Sequence, residues 1–276
     1  MSGKWAPIES NPEVHNQSTT PDPPNTHPIV CLQVLTQWAG RVGLSTKLTA
    51  FSDVYGLDDE WDSHLMDSSP VQLLALVPQP VKAVLLVFPL TREIDQERKR
   101  EDQERTAATT TTNAEEGGEA GGQPNLDPTL FFIKQTASLQ PPTPPTHPTN
   151  QPTTNTITRL GCAELDPDER AKLLESTSLF ATAHADAAQG GQSSLPRNLD
   201  TNEHFVAFVQ APDPTSDDGS QRRLVELDGR RPGPVDRGPS TDLLKDAAKI
   251  IKEVYLGATS ALTFSMITMG PPSYDD

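Results

Sequence analysis

NEHFVAFVQAPDPTSDDGSQRRLVELDGR, Asn202 to Arg230, reads as two strands joined by a reversing connector. His204 to Val209 and Arg223 to Leu227 are rich in Val, Phe and Leu, while APDPTSDDGSQ concentrates the Pro, Asp, Ser and Gly that favour turns. An antiparallel pair follows. A histidine lies on the first strand and an aspartate ends the second, two parts of a Cys/His/Asp constellation. Taken singly, such a histidine is ordinarily a core residue and an Asp-Gly step ordinarily a turn.

Outward from this pair the chain alternates between ordered blocks and segments of different composition. Val81 to Phe88 has the Val and Leu content of a central strand buried on both faces, and Thr129 to Lys134, TLFFIK, restarts strand chemistry. Leu35, Trp38, Ala39 and Val42 form an amphipathic helical stripe that Gly43 closes. In LDPDERAKLLESTSLF, Asp166 is placed to cap a helix with Pro167 at its first position. Leu244, Ala247, Ala248, Ile251 and Val254 or Tyr255 mark another helix, and Leu262 to Met269 a closing strand. Thr91 to Gln123 is charged, then Thr-rich, then Gly-rich, and is expected to be a flexible loop. Helices and strands mix without regular alternation, which predicts an α+β fold.

Composition narrows the function classes. The 276 residues carry 22 Lys and Arg against 38 Asp and Glu, a formal charge of −16. Nucleic acid and anionic membrane surfaces would be repelled, and a basic protein partner fits better. No apolar run approaches the roughly 20 residues needed to span a bilayer, and MSGKWAPIESNPEV lacks a secretory pattern. Cys31 and Cys162 are too few for a disulfide framework and lack zinc-site spacing, so no metal or cofactor is expected and a cytosolic or nuclear location fits.

KWAPIESNPEV, FSDVYGLD, LLALVPQPVKAVLLVFP, FFIKQT, LDPDERAKLL, NEHFVAFV and VELDGRRPGP, taken in order, resemble the ubiquitin C-terminal hydrolase family of papain-like cysteine deubiquitinases, peptidase family C12. The resemblance implies a central antiparallel sheet flanked by helices with a knotted backbone, as one domain over 1–276, with disordered insertions at 15–33, 60–72, 92–126 and 137–158. It implies ubiquitin or a ubiquitin-like protein as partner, a monomeric state, and thiol-dependent cleavage of adducts from the C-terminal glycine of ubiquitin. By the same resemblance, His204 is the general base, Asp228 its orienting acid and Gln135 the oxyanion donor. His184 to Asp200 matches the loop that crosses the family's active site.

The nucleophile departs from the pattern. After QT the family places a cysteine at the start of a buried helix; counting the same distance here reaches Pro141, within PPTPPTHP. Proline has no nucleophile, and each one inside a helix costs about 3 kcal/mol. Cys162 precedes a block that follows the catalytic helix in the family, and Cys31 lies in a segment the family lacks, so neither is placed to substitute. Three readings follow: an active thiol hydrolase, a catalytically dead ubiquitin-binding protein, or a mis-spliced, poorly folded product.

Overall fold

The computed structural model describes residues 28–57, 73–116, 126, 130–135, 165–189, 203–257 and 264–272. Two compact units divide the chain, one of residues 1–53, 133–201 and 270–276, the other of 54–132 and 202–269.

In the first unit, helix α1 (Pro28–Arg41) leads to strand β1 (Ala50–Asp53). The helix begins earlier than its apolar stripe predicts, inside the expected 15–33 insertion, and ends where Gly43 adopts φ 111°. There the Leu44 amide donates to the Ala39 carbonyl at 2.8 Å and the Gly43 amide to Gly40 at 3.2 Å, a Schellman closure that only glycine enters without strain. Helices α2 (Pro167–Ser176) and α3 (Ser178–Gln189) complete the described part. Asp166 accepts from the Glu169 amide at 2.8 Å while Glu169 accepts from the Asp166 amide at 3.1 Å, a reciprocal capping box that fixes the start of α2. Residues 184–189 of the expected crossing loop belong to α3 instead, because its Ala-rich run propagates the helix; residues 190–200 lie outside the described residues.

The second unit is built on strands β2 (Ala83–Pro89), β3 (Glu203–Pro212), β4 (Arg222–Leu227), β5 (Val235–Ser240) and β6 (Ser265–Gly270), hydrogen-bonded in the order β6-β2-β3-β4-β5. All these pairings are antiparallel, and β2 lies inside the sheet as its composition predicts. Register sets the faces. Phe88 pairs with His204, Val84 with Phe208, and Phe208 with Glu226, so Val84, Leu86, Phe88, His204, Val206, Phe208, Leu224 and Glu226 share one side. Helix α4 (Leu243–Ile250), continued by a wider π turn over Ile251–Leu256, covers that side with Leu243, Leu244, Ala247, Ala248, Ile251 and Tyr255. Each large apolar side chain buried there contributes about 1.5–3 kcal/mol.

Two elements of this unit, and a segment that runs from it into the first, differ from expectation. The expected flexible insertion at 92–126 contains a 25-residue helix, α5, over Arg92–Glu116; residues 117–125 lie outside the described residues. Thr91 Oγ1 accepts from the Ile94 amide at 3.3 Å, Glu93 and Asp95 occupy the first turn, and Asp95 pairs with Lys99 at 2.6 Å, so local electrostatics start and support the helix. Strand β5, VDRGPS, was not anticipated, since Gly238 and Pro239 mask it. Leu130–Gln135 forms no regular strand: Leu130 packs beside Leu126, Ala211 and Val225, and Phe132 is buried, so its apolar residues are claimed by packing rather than by pairing. The expected insertions at 60–72 and 137–158 lie outside the described residues.

Candidate active site

Extending the β3–β4 register by one residue sets Asp228 against Val206, diagonal to His204 on the same face. The two side chains meet: His204 Nε2 lies 2.8 Å from Asp228 Oδ1, with both residues buried. Asp228 is also a turn residue, as Asp-Gly suggests. Its Oδ1 accepts from the Arg230 amide at 2.9 Å and its carbonyl from the Arg231 amide at 3.0 Å, so the turn that closes β4 also holds the carboxylate still. Its other oxygen, Oδ2, forms a buried ion pair with Arg98 Nη2 from α5.

Below the pair lies a charged network that the sequence reading missed. Glu226, fully buried, accepts from Arg231 Nη1 at 3.0 Å and from Arg237 Nη2 at 2.6 Å. Arg231 Nη2 reaches on to Glu101 at 2.7 Å and Asp102 at 2.8 Å, and Arg237 Nη1 to Glu101 at 2.5 Å. Helix α5 is thereby docked through Arg98, Glu101 and Asp102, with Ile94 as its buried apolar contact. Burial alone would lift the Glu226 carboxyl, but the Arg237 and Arg231 guanidiniums overcome it and hold its pKa below the usual range.

Desolvation draws the His204 pKa down from 6.5 to about 3, with Arg98 and Arg230 adding to the fall and Glu226 and Asp95 opposing it. The imidazole is neutral at pH 7. Because Nε2 faces a carboxylate that can only accept, the proton sits there and Nδ1 carries the lone pair. Among the described residues nothing hydrogen-bonds to Nδ1. Phe88 meets the ring edge-on, with centroids 5.6 Å apart, and fixes its tilt.

A stability profile follows from this shift. Between pH 6.5 and about 3 the unfolded chain binds a proton at His204 that the native state refuses, so its stabilising contribution is complete above 6.5 and is lost as pH falls through that window. Asp53, raised by burial from 3.8 to about 6, acts with the opposite sign, losing stability as pH rises between those values. Urea unfolding at pH 7.5, 6 and 5 should therefore show His204→Gln losing less stability on acidification than the parent chain; parallel losses would contradict the assignment.

Gln135 belongs to the first unit and is exposed at the end of Leu130–Gln135. Cys31 lies in α1; Cys162 and Pro141 lie outside the described residues. No group of three His, Cys, Asp or Glu able to hold a metal occurs among the described residues.

A buried neutral imidazole bound through one nitrogen to an anchored carboxylate can serve as the acid–base half of a nucleophilic hydrolase, here carried on an α+β antiparallel scaffold. Residues 32–139 and 148–255 match the family model of ubiquitin carboxyl-terminal hydrolase, family 1, and the chain belongs to that family. The match skips 140–147, the stretch that contains Pro141. Similar proteins include ubiquitin carboxyl-terminal hydrolase 3 of Arabidopsis thaliana, 29% identical over 280 residues, covering 97% of this chain and 94% of that protein. Isozyme L1 of Homo sapiens is 29% identical over 252 residues, covering 86% and 94%. Among solved structures, the Trichinella spiralis UCH37 catalytic domain bound to ubiquitin vinyl methyl ester shares the fold at TM-score 0.53 and 16% identity, covering 98% of this chain and 97% of that one.

Proposed function

We propose that this chain binds ubiquitin with its C-terminal tail directed to the His204–Asp228 pair, and that this pair is the acid–base apparatus of a ubiquitin C-terminal hydrolase. The observation that carries the reading is the 2.8 Å contact between His204 Nε2 and Asp228 Oδ1, which leaves Nδ1 able to take a proton. In that role Nδ1 removes the proton of a cysteine thiol, the thiolate adds to the carbonyl of the terminal glycine, and the proton passes to the leaving amine as the C–N bond breaks. Water then cleaves the thioester. Gln135 is assigned as oxyanion donor by its place in FFIKQT.

Pro141 at the counted position of the nucleophile raises a second form of this function, ubiquitin binding without turnover. The net charge of −16 supports a basic protein partner, and the two cysteines suit the reducing cytosol or nucleus. Isothermal titration of the full chain with ubiquitin should give saturable one-to-one binding that weakens as salt is raised. Absence of heat and of any shift in ubiquitin amide resonances would overturn the proposal.

A further inference from the structure

The carboxylate of Asp228 has two oxygens, and the structure gives them different tasks. Oδ1 holds the His204 Nε2–H and the Arg230 amide, while Oδ2 faces Arg98. Without a partner on Oδ2, a fully buried carboxylate would retain an unsatisfied charge and could turn about its Cβ–Cγ bond. The Arg98 guanidinium, meeting Oδ2 through Nη2, supplies the counter-charge that this buried oxygen needs and disfavours its turning. Arg98 is itself held from behind: its guanidinium carbon lies 5.7 Å from the centre of the Phe88 ring, the same ring that braces His204. The rest of α5 is clamped to β5 and to the turn after β4 through Glu101 and Asp102.

We propose that Arg98 is a positioning residue for the His204–Asp228 pair, holding the carboxylate so that Oδ1 receives the imidazole Nε2–H and Nδ1 remains the lone-pair nitrogen. The inference rests on the reading of His204 as the base. Arg98 acts through Asp228, and its cationic charge balances the carboxylate, so the imidazole sees a dipole rather than a bare anion. The charged groups facing His204 are Asp95 and Arg98 from α5, Glu226 from β4, and Asp228 and Arg230 from the turn after it; Phe88 of β2 offers only a ring edge. Burial and the two arginines depress the imidazole pKa, in keeping with this balance.

The test uses the ¹⁵N-labelled full chain, with the His204 ring assigned by its loss in His204→Gln. The parent should show a single Nε2–H tautomer that stays neutral to below pH 5. In Arg98→Met the ring should titrate at least one pH unit higher, a tenfold gain in proton affinity, with both tautomers populated. Arg98→Lys keeps the charge but not the reach of Nη2 to Oδ2, and should hold the titration low while mixing tautomers; it also serves if the Met variant fails to fold. Unchanged titration and tautomer in folded Arg98→Met, or a parent-like tautomer in Arg98→Lys, would overturn the proposal. Ubiquitin titration run alongside separates the two ideas: a parent that fails to bind ubiquitin sinks the functional reading, while the ring spectra judge Arg98 independently.

Discussion

Incubated with a ubiquitin probe carrying a C-terminal electrophile, the chain should stay unlabelled. Such probes capture only an activated thiolate beside the bound tail, and Pro141 stands at the counted position of the nucleophile. Replacing 137–158 with a family-like helix that begins in a cysteine should restore labelling, because the proposed base and carboxylate, His204 and Asp228, are already 2.8 Å apart. Adding His204→Ala to that variant should suppress labelling by orders of magnitude, general-base contributions being about 10²–10⁴-fold. Labelling of the unaltered chain that disappears in Cys162→Ala would show instead that Cys162 had taken the nucleophile's place.

Glu226→Ala should be the most destabilising single change in the described sheet. It removes the fully buried β4 carboxylate that Arg231 and Arg237 share, and leaves two buried guanidiniums with Glu101 and Asp102 as their counter-charge among the described residues. Removing one partner of a buried ion pair typically costs about 3–5 kcal/mol, which corresponds to a fall in Tm on the order of 10 °C for a chain of this size. Urea unfolding followed by circular dichroism measures it directly. A loss below about 1 kcal/mol, the worth of an exposed pair, would mean that the network is dispensable. The change should also loosen α5, exposing its amides around Arg98 to faster hydrogen exchange.

The strands that carry the site were legible because each combines apolar content with a clear turn: β3 and β4 could be read from HFVAFV and RLVEL on either side of APDPTSDDGSQ. His204 and Asp228 were reached through the resemblance carried by NEHFVAFV and VELDGRRPGP, and the register of the two strands puts them on one face. Helix α5 was illegible for a physical reason. Its docking stripe runs Ile94, Arg98, Glu101, Asp102 and Arg105, helical in spacing but charged at every position after the first, and a search for apolar periodicity passes over it. Arg98, Glu226, Arg231 and Arg237 were missed with it, because a charge meant for burial looks the same in sequence as one meant for solvent. TLFFIK misled in the opposite direction, offering strand-like side chains to a segment that packs without a ladder.

Strand β5 ends the sheet with Pro239 paired to Arg223 and with Gly238 at φ 105° beside a register shift. Those two residues hid the strand from sequence, but they also decide what the outer edge can do. A proline supplies no amide to a further strand, and the left-handed glycine bends the backbone away from the flat line a neighbouring copy would need. The edge is therefore a poor template for polymerisation: a second molecule approaching the folded sheet at high concentration meets an interrupted row of donors.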